Sequence, residues 1–115
     1  MCAQPATPQE GLKRSDAVFL GLVERFELKG TKRVATVRVK TVWKGSVTSR
    51  VRVTTGHDDG DCGFHFIAGL EYVIYATRGA FNALETNMCS RTIHASGEAA
   101  EDLKALGPGT SIATR

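Results

Sequence analysis

The sequence predicts an all-β domain, a small five-stranded barrel with short N- and C-terminal helices. Apolar and polar residues alternate with a period of two through most of the middle of the chain, and turn residues interrupt this pattern at short intervals. The 115 residues leave room for one domain and one core. About five strands in so short a chain, each polar on one side, fit a closed or partly open barrel better than a sandwich. The domain is expected to span 1–109, with a disordered tail at 110–115.

Sequence signals at both ends of this region predict the two helices. In Thr7-Pro8-Gln9-Glu10, the Thr7 hydroxyl can accept a hydrogen bond from the Glu10 amide, and proline suits the first helical position. This helix is expected to run to about Arg14 and to end before Asp16. A second helix is expected to begin near Ser96 and to stop at Gly107, with Leu103 and Leu106 on the face that docks on the barrel.

The first two predicted strands form a hairpin. The apolar run from Ala17 to Leu28 contains Gly21, which predicts a bend or a bulge. The sequence Lys29-Gly30-Thr31 predicts the turn. In the second strand, alternation predicts Val37, Val39 and Trp43 on one face and Arg38 and Lys40 on the other.

The remaining strands are shorter, and glycines separate them. Gly45 and Gly69 stand where the chain is expected to need a positive φ angle. Large aromatic side chains are expected to fill the interior. The segments predicted as strands are Arg50–Val53, Gly63–Phe66, Tyr72–Tyr75 and Leu84–Ser90.

Composition and charge narrow the class of protein. Apolar residues make up 42% and charged residues 23% of the chain, a balance typical of a folded globular domain. A formal net charge of +3 is mild, whereas a dedicated nucleic-acid binder usually has a denser basic stripe. No apolar run approaches the ~20 residues that a membrane-spanning helix requires. The first five residues lack the apolar centre of a signal peptide, so the protein is either cytosolic or has lost a leader.

The spacing of the cysteines does not by itself show whether the protein is cytosolic or has lost a leader. They are Cys2, Cys62 and Cys89, and none belongs to a Cys-x-x-Cys pair that would favour a structural zinc site. An odd number means that at least one thiol has no partner in the chain. Three buried free thiols and a disulfide with one cysteine left over are equally compatible with the spacing.

The order of features along most of the chain resembles the netrin-like, OB-fold domain of the tissue inhibitors of metalloproteinases, particularly their short bacterial relatives. The matching segments are Ser15-Asp16-Ala17-Val18-Phe19-Leu20-Gly21, Val42-Trp43-Lys44-Gly45, Cys62-Gly63 with Phe66, Gly69, Tyr72 and Tyr75-Ala76, and Thr86-Asn87-Met88-Cys89-Ser90-Arg91-Thr92. The resemblance implies an OB-like barrel. It also implies a protein that works outside the cytoplasm (secreted, periplasmic or on the cell surface), with the native leader absent from this chain.

The resemblance further implies a disulfide pairing. Family members begin with Cys-x-Cys, and these two cysteines tie the N-terminal segment to the barrel. The single N-terminal cysteine of this chain best resembles the second of them, so Cys2 is expected to pair with Cys89, which leaves Cys62 without a partner. The closed loop would contribute ~4–5 kcal/mol by chain-entropy estimates.

The implied activity is inhibition of a zinc metalloproteinase without enzymatic chemistry, cofactor or resident metal. In the family, the α-amine and carbonyl oxygen of the N-terminal cysteine bind the zinc of the protease. Here Met1 precedes Cys2, so that no cysteine amine is free in the chain as written. The residues expected to form the protease-contact ridge are Cys2, Ala3, Gln4, Pro5, Asp61 and Cys62. The oligomeric state is left open.

Other classes of function fit the residues less well. One is a non-inhibitory extracellular module that binds proteins. Another is a single-stranded nucleic-acid-binding OB domain that uses Arg38, Lys40, Arg50 and Arg52, but no aromatic pair lies among these residues for bases to stack on. We therefore expect them to coat the solvent side of the strands and expect no nucleic-acid partner.

Metal and enzyme sites are also weakly supported. The acidic loop from His57 to Asp61 lacks the alternating spacing of an EF-hand and is better explained as a solvated turn. A zinc site built from His57, Cys62, His65 and Cys89 is less favoured still. A catalytic pair of Cys62 with His65 or His94 has no accompanying oxyanion-hole motif.

Overall fold

The computed structural model describes residues 7–56, 63–79, 83–87 and 90–112. About half of these residues lie in strands, and a short helix lies near each end. In chain order the elements are α1 (Pro8–Arg14), β1 (Ala17–Lys29), β2 (Lys32–Lys44), β3 (Arg50–Gly56), β4 (Glu71–Arg78), β5 (Leu84–Glu85), β6 (Ile93–His94), a 3₁₀ turn (Gly97–Ala99), α2 (Ala100–Leu106) and β7 (Thr110–Ser111).

Five strands close into a ring. β1 pairs antiparallel with β2, and β2 pairs antiparallel with β3. β3 pairs parallel with β5, and β5 and β1 each pair antiparallel with β4, which completes the ring. β6 and β7 are short additions on β4 and β2. The prediction of a mainly β domain with five principal strands and two short helices is confirmed at this level.

The ring separates two apolar clusters, because side chains alternate between the faces of a strand. The inner cluster fills the ring and is built around Phe19, Val37, Val53, Phe66 and Ile74. The outer cluster lies between the ring and the two helices. It consists of Val18, Val73, Tyr75 and Ala99, with Leu12, Leu20, Trp43, Ile93, Ala95, Leu103 and Leu106 packed against them. As a result, β1 and β4 are buried on both faces where they pair.

Helix α1 forms as its end signals predict, and α2 ends as predicted but begins at Ala100, later than the expected start near Ser96. The Glu10 amide donates to the Thr7 hydroxyl at 3.1 Å, and the Ser15 amide closes α1 on the Gly11 carbonyl. α2 follows a 3₁₀ turn that starts one residue after Ser96, and it ends at Gly107, where φ is 78°. Leu103 and Leu106 pack on the outer cluster, so their predicted docking face is confirmed.

The hairpin and its bulges are present, but one side chain points the other way. The β1–β2 register shifts beside Gly21, as predicted, because Lys40 is an extra residue between Val39 and Thr41. The extra residue changes the face of the side chains that follow. Val42 packs on the inner cluster and Trp43 on the outer one, so the prediction that Trp43 shares a face with Val37 and Val39 is wrong.

Two strands predicted from the sequence differ in the structure: one is not formed and the other is shorter. Residues 63–66 are irregular, because side chains satisfy the backbone there: the Phe64 amide donates to the Thr55 hydroxyl at 2.7 Å. In the predicted strand Leu84–Ser90, of which residues 84–87 and 90 are described, only Leu84–Glu85 form a strand, and the Ser90 amide donates to the Asn87 carbonyl at 3.1 Å.

The positive φ angles expected at two glycines are confirmed, and the end of the chain differs from expectation. Gly45 has φ 89° and Gly69 has φ 94°. Thr110–Ser111, expected at the start of a disordered tail, instead form β7 against β2. The Ile112 amide donates to the Lys40 carbonyl at 2.9 Å, and Ile112 packs on the inner cluster.

Gly21 lets β1 pass close to β2, and this makes the position a test of the bulge. A Cβ on Gly21 would meet Val37 Cγ1 and would lie 2.9 Å from the Arg38 carbonyl oxygen. We expect G21A to lower the free energy of unfolding by about 1–3 kcal/mol, as overpacking does. The control is G97A, because nothing lies within 4 Å of a Cβ at Gly97. Urea denaturation of both variants measures the effect, and equal stabilities would contradict the close approach.

Candidate functional site

The residues predicted to contact a protease lie outside the described part of the chain, as do the disulfide cysteines and the acidic loop. They are Cys2, Ala3, Gln4, Pro5, Asp61, Cys62, Cys89 and the loop 57–61. The ridge and the pairing therefore remain predictions. The structure does describe the elements to which these residues are joined, namely α1, which follows the N-terminal segment, and the chain on both sides of Cys89.

Helix α1 is fixed to the ring at several points. Lys44 Nζ donates to the Leu12 carbonyl at 2.7 Å, while the Leu12 side chain packs on the outer cluster. A Cβ placed on Gly11 would come within 3.0 Å of the Tyr75 ring, so glycine allows the close contact. Just after the helix, the Asp16 carboxylate accepts from the Arg78 amide at 2.7 Å. These contacts hold the start of the domain against β1, β2 and β4.

Hydroxyl groups attach the chain around Cys89 to β4. Thr86 Oγ1 lies 2.8 Å from both Ser90 Oγ and Thr92 Oγ1. The Tyr75 amide donates to Thr92 Oγ1 at 3.0 Å, and Thr86 Oγ1 donates to the Tyr75 carbonyl at 3.1 Å. Side chains thus supply bonds that a regular strand would supply from its backbone. Thr86 and Thr92 are therefore bound to β4 although neither lies in a strand.

A buried carboxylate joins this segment to α2. Asp102 is fully buried and accepts from the Tyr75 hydroxyl at 2.6 Å. Arg91 donates to both oxygens of Asp102, from Nε at 2.8 Å and from Nη2 at 2.9 Å, and Nη2 also donates to Glu101 at 2.7 Å. Burial and the hydrogen bond to Asp102 raise the pKa of Tyr75 well above its usual range, so its hydroxyl stays a donor. The Arg91 bond to Asp102 likewise raises the pKa of the guanidinium.

A small cavity lies between α1 and the residues that flank Cys89. Its volume is about 210 Å³. Gly11, Arg14 and Ser15 line one side, and Asn87 and Ser90 line the other. Helix α1 and the described residues on both sides of 88–89 therefore face the same cavity.

The residues that build this region were largely missed by sequence reasoning. Thr86, Arg91 and Thr92 belong to a segment that carries the family resemblance, but no role is predicted for them from the sequence. Asp102 lies three residues after Ala99 and four before Leu106, both of which pack on the outer cluster. Helical spacing therefore offered a signal that Asp102 lies on the buried face of α2.

Most of the basic residues considered for nucleic-acid binding are engaged in ion pairs. Arg38 and Arg50 each donate to Glu24 at 2.8 Å, and Lys40 pairs with Glu71. The hydrogen bond from Arg50 is the main cause that lowers the pKa of Glu24. Arg52 is exposed. These pairs lower the charge that the face offers to a phosphate backbone.

The two histidines that the structure describes contact different aromatic rings. His65 is exposed and its ring lies perpendicular to that of Phe26, with ring centroids 5.8 Å apart, while Phe66 is buried. His94 packs against Tyr72 with ring centroids 5.5 Å apart. Within residues 7–56, 63–79, 83–87 and 90–112, no three His, Cys, Asp or Glu side chains are grouped so that they could hold a metal ion.

Comparisons with known proteins give no assignment. No protein-family model matches the chain, and no curated protein is significantly similar to it. Within the described ranges, no helix has the length and apolar character needed to cross a membrane.

Arg91 binds two adjacent acidic residues, and substituting each of them tests whether the buried carboxylate stabilises the outer layer. Asp102 is buried, whereas the Glu101 side chain is 70% exposed. We expect D102N to lower the free energy of unfolding by about 3 kcal/mol or more, because it leaves a charged Arg91 without its main partner. E101Q should cost less than about 1 kcal/mol, as exposed ion pairs do. Chemical denaturation measures both, and a D102N cost as small as that of E101Q would contradict the assignment.

Proposed function

We propose that this protein is a netrin-like inhibitor of zinc metalloproteinases that acts outside the cytoplasm and uses a small OB-like barrel as its scaffold. The observation that carries the proposal is the placement of α1. The helix is fixed to the ring, and it faces the same cavity as the residues flanking Cys89. An inhibitor of this type requires an N-terminal segment that starts from a rigid base and can be tied down nearby.

The chain length allows the proposed clamp. Thr7 is five positions after Cys2, with four residues between them, and an extended chain covers ~3.3–3.6 Å per position, about 17 Å in total. Gly11, which lines the cavity, is about one helical turn beyond Thr7. A Cys2–Cys89 disulfide would hold the N-terminal segment beside the helix.

The chemistry of inhibition follows from the free amine at the end of this segment. An α-amine has a pKa near 8, so a large fraction can lose its proton near neutral pH and coordinate zinc. The amine and the adjacent carbonyl oxygen would replace the water that attacks the peptide bond. Residues Cys2–Pro5, Asp61 and Cys62 would contact the protease around the metal. The clamp lowers the entropy lost on binding, because the segment is already ordered.

The proposal predicts that inhibition depends on the N-terminus. We expect the form that begins at its authentic mature residue to inhibit at least about tenfold more strongly than the same chain with one extra residue ahead of it, a difference of ~1.4 kcal/mol. The extra residue moves the amine away from the zinc. The measurement is a titration of both forms against a panel of zinc endopeptidases with a fluorogenic peptide substrate.

Two variants test whether the advantage of the mature form depends on the Cys2–Cys89 disulfide or is lost with any substitution near α1. C89S should remove the advantage of the mature form, because the segment loses its attachment. K13A is the matched control, since Lys13 is exposed on α1, and it should inhibit like the parent. Equal potency of the two N-terminal forms would contradict zinc binding by the amine. If neither form inhibits any protease, the domain is better explained as an extracellular protein-binding module without inhibitory activity.

A further inference from the structure

A broad groove lies on the outer face of β1, β2 and β3, away from the outer cluster that holds α1 and α2. Its volume is about 1270 Å³. Five basic side chains and two acidic ones line it; the basic ones are Arg25, Lys29, Arg50, Arg52 and Arg78, and the acidic ones are Glu24 and Glu27. None of the described residues that line it belongs to the proposed inhibitory site.

The acidic residues leave much of the positive charge of the groove uncompensated. The Glu24 carboxylate is shared by Arg38 and Arg50. Within the described part of the chain, Arg25, Lys29 and Arg52 have no ion-pair partner. An anion in the groove would therefore meet cations that need not give up another partner.

Strand register places two of these cations around one hydroxyl-bearing residue. Thr36 of β2 pairs with Arg25 of β1 on one side and with Arg52 of β3 on the other. The three residues lie on one rung, and the backbones of the two arginines are about 10 Å apart, twice the strand spacing. Both arginines are exposed, and Thr36 is half-buried between them. An extended chain covers that distance in about three residues.

The lining of the groove favours a peptide over other polyanions. Val34 supplies aliphatic surface, and Thr36 and Thr54 supply hydroxyl groups. No aromatic residue lines the groove in the described ranges, whereas single-stranded nucleic acids bind such faces by stacking bases on aromatic rings. Arginine forks match carboxylates in a bidentate manner. We propose that the outer face of β1–β2–β3 binds an extended acidic peptide segment of a partner protein, with Arg25 and Arg52 each holding a carboxylate on the same side of the peptide.

Binding of a labelled acidic peptide tests this proposal. The probe is a fluorescein-labelled peptide of alternating Glu and Val, about twelve residues long, which extends to about 40 Å. Fluorescence anisotropy at about 50 mM salt limits screening of the charges. We expect R25E/R52E to weaken binding at least about tenfold, a difference of ~1.4 kcal/mol. Circular dichroism would verify that the variant is folded, which is expected because both positions are exposed.

The matched control changes the net charge equally on another surface. K13E/K104E replaces exposed residues of α1 and α2, and it should weaken binding less than about twofold if the groove is the site. An equal loss in both double variants would overturn the proposal in favour of non-specific attraction. Oligothymidine and a heparin oligosaccharide of similar length are the competing probes. Tighter binding of either one, lost in R25E/R52E, would overturn the assignment of a peptide.

Discussion

The outer layer of this protein depends on a carboxylate that is buried without access to water. A charge in that position is costly unless it is fully paired, so Asp102 requires both the bidentate bond from Arg91 and the hydroxyl of Tyr75. Tyr75 belongs to β4, Arg91 to the chain after Cys89, and Asp102 to α2. One interaction therefore fixes three separate parts of the chain relative to one another.

This constraint explains why β4 is buried on both faces. Its inner side chains fill the ring, and its outer ones, with those of β1, support α1 and α2. Trp43 adds a second attachment for the end of α2, because its Nε1 donates to the Gly107 carbonyl at 2.8 Å. The hydroxyl cluster of Thr86, Ser90 and Thr92 then binds the neighbouring segment to β4. The outer layer is held by polar bonds with defined geometry as well as by apolar contact, as a base for a binding segment requires.

The sequence predicted the features that depend on local signals. Thr7 and Pro8 start a helix whatever lies beyond it, and Gly30 lies in the turn of the β1–β2 hairpin. The face of Trp43 was missed, because Gly21 indicates a bulge but does not show that the extra residue, Lys40, lies on β2, where it reverses the alternation. The irregular conformation of residues 63–66 was also missed, because the alternation of residues does not show that the Phe64 amide donates to the Thr55 hydroxyl of β3. The candidate site depended on three cysteines and a resemblance, and the network that positions its surroundings forms only in the folded chain.

The proposed function depends most directly on a Cys2–Cys89 disulfide, which would tie the N-terminal segment to the chain beside α1. Peptide mapping without reduction, on protein from its natural source, tests this claim. We expect a peptide that contains Cys2 to be linked to one that contains Cys89, with Cys62 free or bound to an external thiol. A Cys2–Cys62 or Cys62–Cys89 bridge, or three reduced thiols, would contradict the account.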